Sequence, residues 1–169
     1  CDSAIRTAFT ELNDILNMSN SVEYVNAKLN ALYTNSELQF SNSSRFPQLD
    51  RSLLAASLMW LFSGAVQYGR FSSVNRSCTA ILKNASSPLT SYLQTVALSG
   101  FLTSYEQYVQ EKAQLGGNSW LWQTCTEFGY YQTSSSPNSP FSPGDWVSLD
   151  FYEQICRDLF GLTGKRTVE

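Results

Sequence analysis

The sequence predicts a mainly α-helical chain, and three observations carry that expectation. Apolar residues recur three and four positions apart through successive segments of residues 1–115, the spacing that gathers them on one face of a helix. Start and stop signals bracket several segments, most clearly Ser87-Pro88 at a start and Gly161 at an end, as Pro at the first helical position and Gly beyond the last one do. Of the 169 residues, 43% are hydrophobic and 14% aromatic. That excludes disorder and suffices for one domain with a sizeable core.

The elements follow in order. Residues 3–16 place Ile5, Ala8, Phe9, Leu12, Ile15 and Leu16 at helical spacing behind Asp2 or Ser3 as N-cap. A second helix follows Ser21, with Val22, Val25, Leu29 and Leu32 on one stripe; residues 35–48, with Pro47, read as a loop. Asp50 is expected to cap a strongly apolar helix from Leu53 to Val66. Ser57, Ser63 and Gly64 interrupt its apolar run, which falls short of the ~20 residues of a membrane span, so a buried central helix and no membrane span are expected. A short helix over 74–82 carries Cys78. From Pro88, one broad face runs through Leu89, Tyr92, Leu93, Val96, Phe101, Tyr105 and Tyr108 until Gly116-Gly117 stops it. These aromatics read as core or snorkelling residues. Residues 1–115 thus form a helical bundle, and 116–169 a different second part. Within it, 118–133 are aromatic without clean helical period and read as partly extended. Residues 134–143 hold three prolines and form a loop. Ser148 caps a final helix with Leu149, Tyr152, Ile155, Cys156, Leu159 and Phe160.

Composition narrows the chemistry. The charge balance is 11 − 14 = −3, which leaves no basic footprint for nucleic acid or an anionic membrane. Histidine is absent, so this chain holds no His-based triad, His zinc site or imidazole proton shuttle. Cys1, Cys78, Cys125 and Cys156 form no C-x-x-C pair; their even count suits two disulfides in any of three connectivities. Sequons at Asn17, Asn42, Asn75 and Asn84 mark candidate glycosylation sites. Together they point to a secreted or lysosomal (vacuolar) protein. No signal peptide stands before Cys1, which reads as a piece of a longer precursor.

The sequence holds no phosphate loop, no G-x-G-x-x-G turn, no G-x-S-x-G elbow and no H-E-x-x-H helix. Glu106 and Glu111 read as a solvated helix face, and Asp145 and Asp150 as carboxylates favouring a helix start over a catalytic dyad. No catalytic residue, metal or cofactor is expected within the chain.

The informative stretch is Trp120-Leu-Trp-Gln-Thr-Cys-Thr-Glu-Phe-Gly-Tyr-Tyr-Gln132, followed by Pro140-Phe141 and then Cys156-Arg-Asp-Leu-Phe-Gly161. It resembles the prolyl-type serine peptidases that include lysosomal Pro-Xaa carboxypeptidase, dipeptidyl-peptidase II and thymus-specific serine protease, the last branch most of all. Gly64-Ala-Val-Gln-Tyr68 is similar to the V-Q-Y segment of that family. The resemblance runs from Cys1 to about Gly161.

The resemblance implies the helical cap of an α/β-hydrolase-type serine peptidase plus an aromatic return segment. The triad serine would lie upstream of Cys1, and the Asp and His downstream of Glu169. The remainder of the hydrolase domain, in the same precursor or a companion chain, would be its partner, and a peptide cleaved next to proline its substrate. It implies the pairs Cys1–Cys78 and Cys125–Cys156; Gln132-Thr133-Ser134 stands where relatives often carry a further Cys. It also puts Tyr130, with Glu127 and Tyr131, at the substrate pocket. Tyr130 would wall the proline ring or else pack between cap and hydrolase, and Glu127 would act as an acceptor orienting the segment. Trp120 and Gln123 read as anchors, with Trp120 largely core. The alternative is a non-catalytic secreted binding module derived from such a cap.

Overall fold

The computed structural model describes residues 1–32, 47–69, 71–83, 87–98, 103–114, 119–142 and 144–162. Among them no strand occurs. Apolar periodicity becomes packing most plainly in α1 (Asp2–Leu16), whose Ile5, Ala8, Phe9, Leu12, Ile15 and Leu16 are all buried. Its N-cap is Cys1, not Asp2 or Ser3, and no side chain caps it. The disulfide to Cys78 fixes Cys1, the Ile5 amide donates to its carbonyl at 3.0 Å, and Asp2 accepts from Arg6 at 2.9 Å instead. In α2 (Ser21–Leu32) Val25 is buried; the side chains of Val22, Leu29 and Leu32 lie outside the description.

Helix α3 (Pro47–Gln67) starts earlier than the sequence suggested, with Pro47 at its first position; the rest of the expected loop, to residue 46, lies outside the described residues. At 21 residues α3 is, among the described residues, the one helix long and apolar enough to cross a membrane, although Ser57, Ser63 and Gly64 interrupt its apolar run. Residues 52–59 are nevertheless all buried, because α3 packs against α4, α5 and α6. Asp50 sits in the first turn of α3 and caps another helix: its Oδ1 accepts the Tyr105 amide at 2.7 Å, and the residue is buried. Helix α4 (Phe71–Leu82) carries Cys78.

The long face expected from Pro88 to Gly116 is two helices, α5 (Pro88–Leu98) and α6 (Tyr105–Gln114). Ser87 accepts the Thr90 amide at the start of α5. Ser104 accepts the Gln107 amide at 3.2 Å, so an unread N-cap restarts the chain at α6, aided by Asp50. Phe101 and the Gly116-Gly117 stop lie outside the described residues. Helix α5 packs against α1, α2, α3 and α4. At its centre the fully buried Tyr92 donates to the Leu58 carbonyl at 2.9 Å and stacks on Phe62 at 5.7 Å.

The aromatic segment, expected to be partly extended, is helical over Ser119–Phe128, and residues 129–133 carry no helix. Helix α7 (Ser119–Gln123) runs into a π-turn at Thr124–Phe128, which Gly129 ends at φ 58. The prolyl loop is strapped to α1. Arg6 donates to the carbonyls of Asn138 and Ser139, Trp146 Nε1 donates to Asn13 Oδ1, and Phe141 meets Phe9 edge-on at 5.2 Å. Helix α8 (Leu149–Phe160) begins at Ser148, whose Oγ accepts the Phe151 amide, and ends at Gly161. Phe151, Tyr152 and Ile155 share one core with α1, α3 and α5. Cys1 is bonded to Cys78 and Cys125 to Cys156.

Two outcomes check this arrangement. Peptide mapping without reduction is expected to recover Cys1 with Cys78 and Cys125 with Cys156. Chain entropy over separations of 77 and 31 residues sets upper stabilisations of about 4.5 and 3.7 kcal/mol. Asp50→Ala orphans the Tyr105 amide and is expected to cost about 2 kcal/mol in urea unfolding, whereas Asp50→Asn, which keeps an acceptor, costs clearly less.

Candidate functional site

An aromatic groove of about 420 Å³ opens where α3, α6, the return segment and α8 meet. Each wall has a local cause. The second half of α3 brings Trp60 and Gln67 to it, with Tyr68 just beyond its end; α6 brings Tyr108 and Lys112; the aromatic segment brings Trp120, Tyr130 and Tyr131. Gly129 in the left-handed conformation ends the π-turn without the steric penalty a Cβ carries there, and the chain leaves it directly into Tyr130.

The floor is organised by Tyr152. Its hydroxyl accepts from Trp60 Nε1 at 3.2 Å and donates to the Gln132 carbonyl at 3.0 Å, joining α3, α8 and the return segment. Tyr131 stacks on Tyr152 at 5.2 Å, with its own hydroxyl 3.3 Å from Cys156 Sγ. Burial pushes the phenols of Tyr108 and Tyr152 up to about 12. Both therefore stay protonated at neutral pH and keep a hydrogen to donate.

Of the residues placed at a pocket from sequence, Tyr130 and Tyr131 line this groove, Tyr130 at 58% exposure and Tyr131 half-buried. Glu127 does not line it and is exposed. In the i→i+5 bonded turn, three residues no longer bring Glu127 back to the face that Thr124 shares with Leu121. Trp120 is not core: it is 56% exposed, tilted against Phe128 at 6.0 Å. Gln123 is half-buried within α7. Glu106 and Glu111 are exposed, as is Asp145, which accepts from Ser135 Oγ; Asp150 occupies the first turn of α8. Asn17 and Asn75 are exposed, on the turn after α1 and on α4; Asn42 and Asn84 lie outside the described residues.

Sequence reasoning missed Trp60, Tyr108, Tyr152 and Lys112 as groove residues. Each sits on a helix whose periodicity assigned it to core or solvent, and no local signal says that three helix ends converge. The groove carries aromatic faces, hydroxyls, the amides of Gln67 and Gln132, the Lys112 ammonium and the Glu111 carboxylate, but no imidazole. Among the described residues no three potential metal ligands come together. Its chemistry is recognition of a flat apolar group with a few polar contacts.

A family model described as Serine carboxypeptidase S28 matches residues 1–168. Thymus-specific serine protease of Mus musculus is 29% identical over 188 aligned residues, covering 96% of this chain and 34% of that protein. Its Homo sapiens counterpart is 43% identical over 49 residues, 29% of this chain and 9% of that protein. A probable extracellular serine carboxypeptidase of Arthroderma benhamiae is 33% identical over 72 residues, 40% of this chain and 10% of that protein. The chain spans about a third of the length of the mouse relative. No solved structure matches it. With the family model covering nearly every residue, the chain belongs to the serine carboxypeptidase S28 family.

Proposed function

We propose that this chain is the helical cap and return segment of a secreted or lysosomal serine peptidase acting next to proline, with residues 1–115 as the cap bundle and 116–169 as the return. One observation carries the reading. The two segments that bear the family resemblance, 64–68 and 120–132, meet at the groove, and its walls carry the aromatic faces that a proline ring favours. Two disulfides fit an oxidising compartment, and the exposed Asn17 and Asn75 are the sequons we put forward for glycan attachment.

In the whole peptidase, a serine outside this chain attacks the scissile carbonyl while a histidine takes its proton. The histidine returns that proton to the leaving amine, and water then releases the acyl group from the serine. An aspartate orients the histidine. The cap limits access to a chain end and supplies the proline-side wall through Tyr130 and Tyr131. The exposed Trp120, Phe128 and Tyr68 are the surface we assign to contact with the hydrolase remainder.

Two measurements test this. Tyr130→Ala in the whole peptidase is expected to lower kcat/KM for a proline substrate by roughly 10–200-fold, with a much smaller loss for the alanine analogue. An unchanged ratio would make Tyr130 a packing residue. This chain by itself is expected not to react with a serine-directed phosphonate, because an unassisted hydroxyl is a weak nucleophile. Stoichiometric labelling of any of its serines would overturn the cap assignment.

A further inference from the structure

The loop between the aromatic segment and α8 carries Ser-Pro pairs at 136–137, 139–140 and 142–143, three residues apart. The fold converts this repeat into consecutive turns. The Ser139 amide donates to the Ser136 carbonyl at 2.9 Å, and the Ser142 amide to the Ser139 carbonyl at 3.3 Å, each across a turn with Pro second. Proline suits that place because its fixed φ pre-sets the turn. One side of the loop is held: Arg6 donates to the Asn138 and Ser139 carbonyls at 3.1 and 3.3 Å, and Phe141 packs edge-on against Phe9. The hydroxyls differ accordingly. Ser134 is buried, and Ser135 donates to Asp145 at 2.6 Å. Ser139 and Ser142 are half-buried, and Ser139 Oγ accepts the Phe141 amide at 3.2 Å. Ser136 is exposed, and its Oγ has no hydrogen-bond partner among the described residues. Thr133, also exposed, has no proline next to it.

We infer that Ser136 is a sugar-attachment site, taking an O-linked hexose or N-acetylhexosamine from a glycosyltransferase of the secretory route; this rests on the secretory part of the reading above. Serine-rich chain broken by proline is the composition of O-glycosylated segments. Proline keeps such a backbone out of helices and sheets, so the hydroxyl stays within reach of a transferase. In the reaction, Ser136 Oγ bonds to the anomeric carbon of a phosphate-activated sugar. The bond from that carbon to the donor's phosphate breaks, and the phosphate leaves with the electron pair and takes up the hydroxyl proton. A transferase that meets the folded loop finds Ser136 free, and Ser139 and Ser142 half-buried. Ser-Pro pairs also accept phosphate, but the charges of this loop favour a neutral group. Asp145 already lies against Ser135, and Arg6 directs Nε to Asp2 and both Nη atoms to the loop carbonyls. A phosphate there meets a carboxylate, and the guanidinium behind the loop is already engaged.

The test expresses the whole protein in a eukaryotic host that O-glycosylates its secreted proteins. N-glycans are removed enzymatically, and the 133–146 segment is mapped by electron-transfer fragmentation, which leaves sugars on their side chains. The expected result is a hexose or N-acetylhexosamine increment on Ser136, its mass telling which sugar is present. The increment is lost in Ser136→Ala and kept in Ser136→Thr, and both variants unfold at the wild-type midpoint because the side chain is exposed. Ser136 bare while a sequon asparagine carries N-glycan would overturn the inference and leave the secretory reading standing. Ser136 and every sequon bare would overturn the secretory reading with it. Phosphate instead of sugar on Ser136 would overturn the assignment of a neutral group. Sugar on Ser139 and Ser142 as often as on Ser136 would overturn the selection of Ser136 by the folded loop.

Discussion

The groove depends on a single phenol. From its position on α8, the Tyr152 hydroxyl bonds both α3, through Trp60, and the aromatic segment, through the Gln132 carbonyl. Tyr152 is only 7% exposed, and a Phe in its place would remove two hydrogen bonds, to the half-buried Trp60 indole and the exposed Gln132 carbonyl, a cost of about 0.5–1.5 kcal/mol per bond where groove water can replace the lost partner. One turn further along α8, Cys156 ties the same segment covalently through Cys125. Stacking, hydrogen bonding and a disulfide therefore converge on one face of one helix. Remove that face, and the aromatic wall carrying Tyr130 and Tyr131 loses its stacking partner, its hydrogen bond to Tyr152 and its disulfide at once.

This explains why a segment so rich in large exposed side chains keeps a defined shape. Trp120 and Phe128 support each other, and Trp122 meets Phe160 edge-on at 5.1 Å. Even so, all of these except Phe160 remain substantially exposed. Isolated exposed apolar residues are ordinary, but a contiguous set around a groove marks an interaction surface. Membership of a serine peptidase family, in a chain with no histidine, gives that surface a reason. On the reading proposed above, the chemistry of such an enzyme and the recognition by this groove would belong to different parts of one molecule.

Legibility from sequence followed the range of the interactions. Helices whose stability is local were read well: α1 from its apolar stripe, α5 from Ser87-Pro88, α8 from Ser148 and Gly161. Errors arose where a distant partner decides. Asp50 looked like the cap of its own helix and instead caps α6, fifty-five residues away. The break between α5 and α6 is invisible to periodicity because both helices keep an apolar face, and only Ser104 announces the restart. The π-turn at Thr124–Phe128 shifts the facing of its residues, so a segment that lacks the 3.6-residue period passed for extended chain. Tyr130 and Tyr131 were found at the groove through family resemblance, whereas Trp60, Tyr108 and Lys112 are assembled there by tertiary packing alone.

The central claim is that this groove faces the substrate's proline. The most direct measurement is a structure of the whole peptidase trapped by a phosphonate inhibitor carrying a proline next to the phosphorus. The account predicts the pyrrolidine ring in van der Waals contact with the Tyr130 and Tyr131 rings, above the Trp60–Tyr152–Gln132 floor. A ring seated entirely against the hydrolase remainder, with the groove closed or turned to solvent, would contradict it.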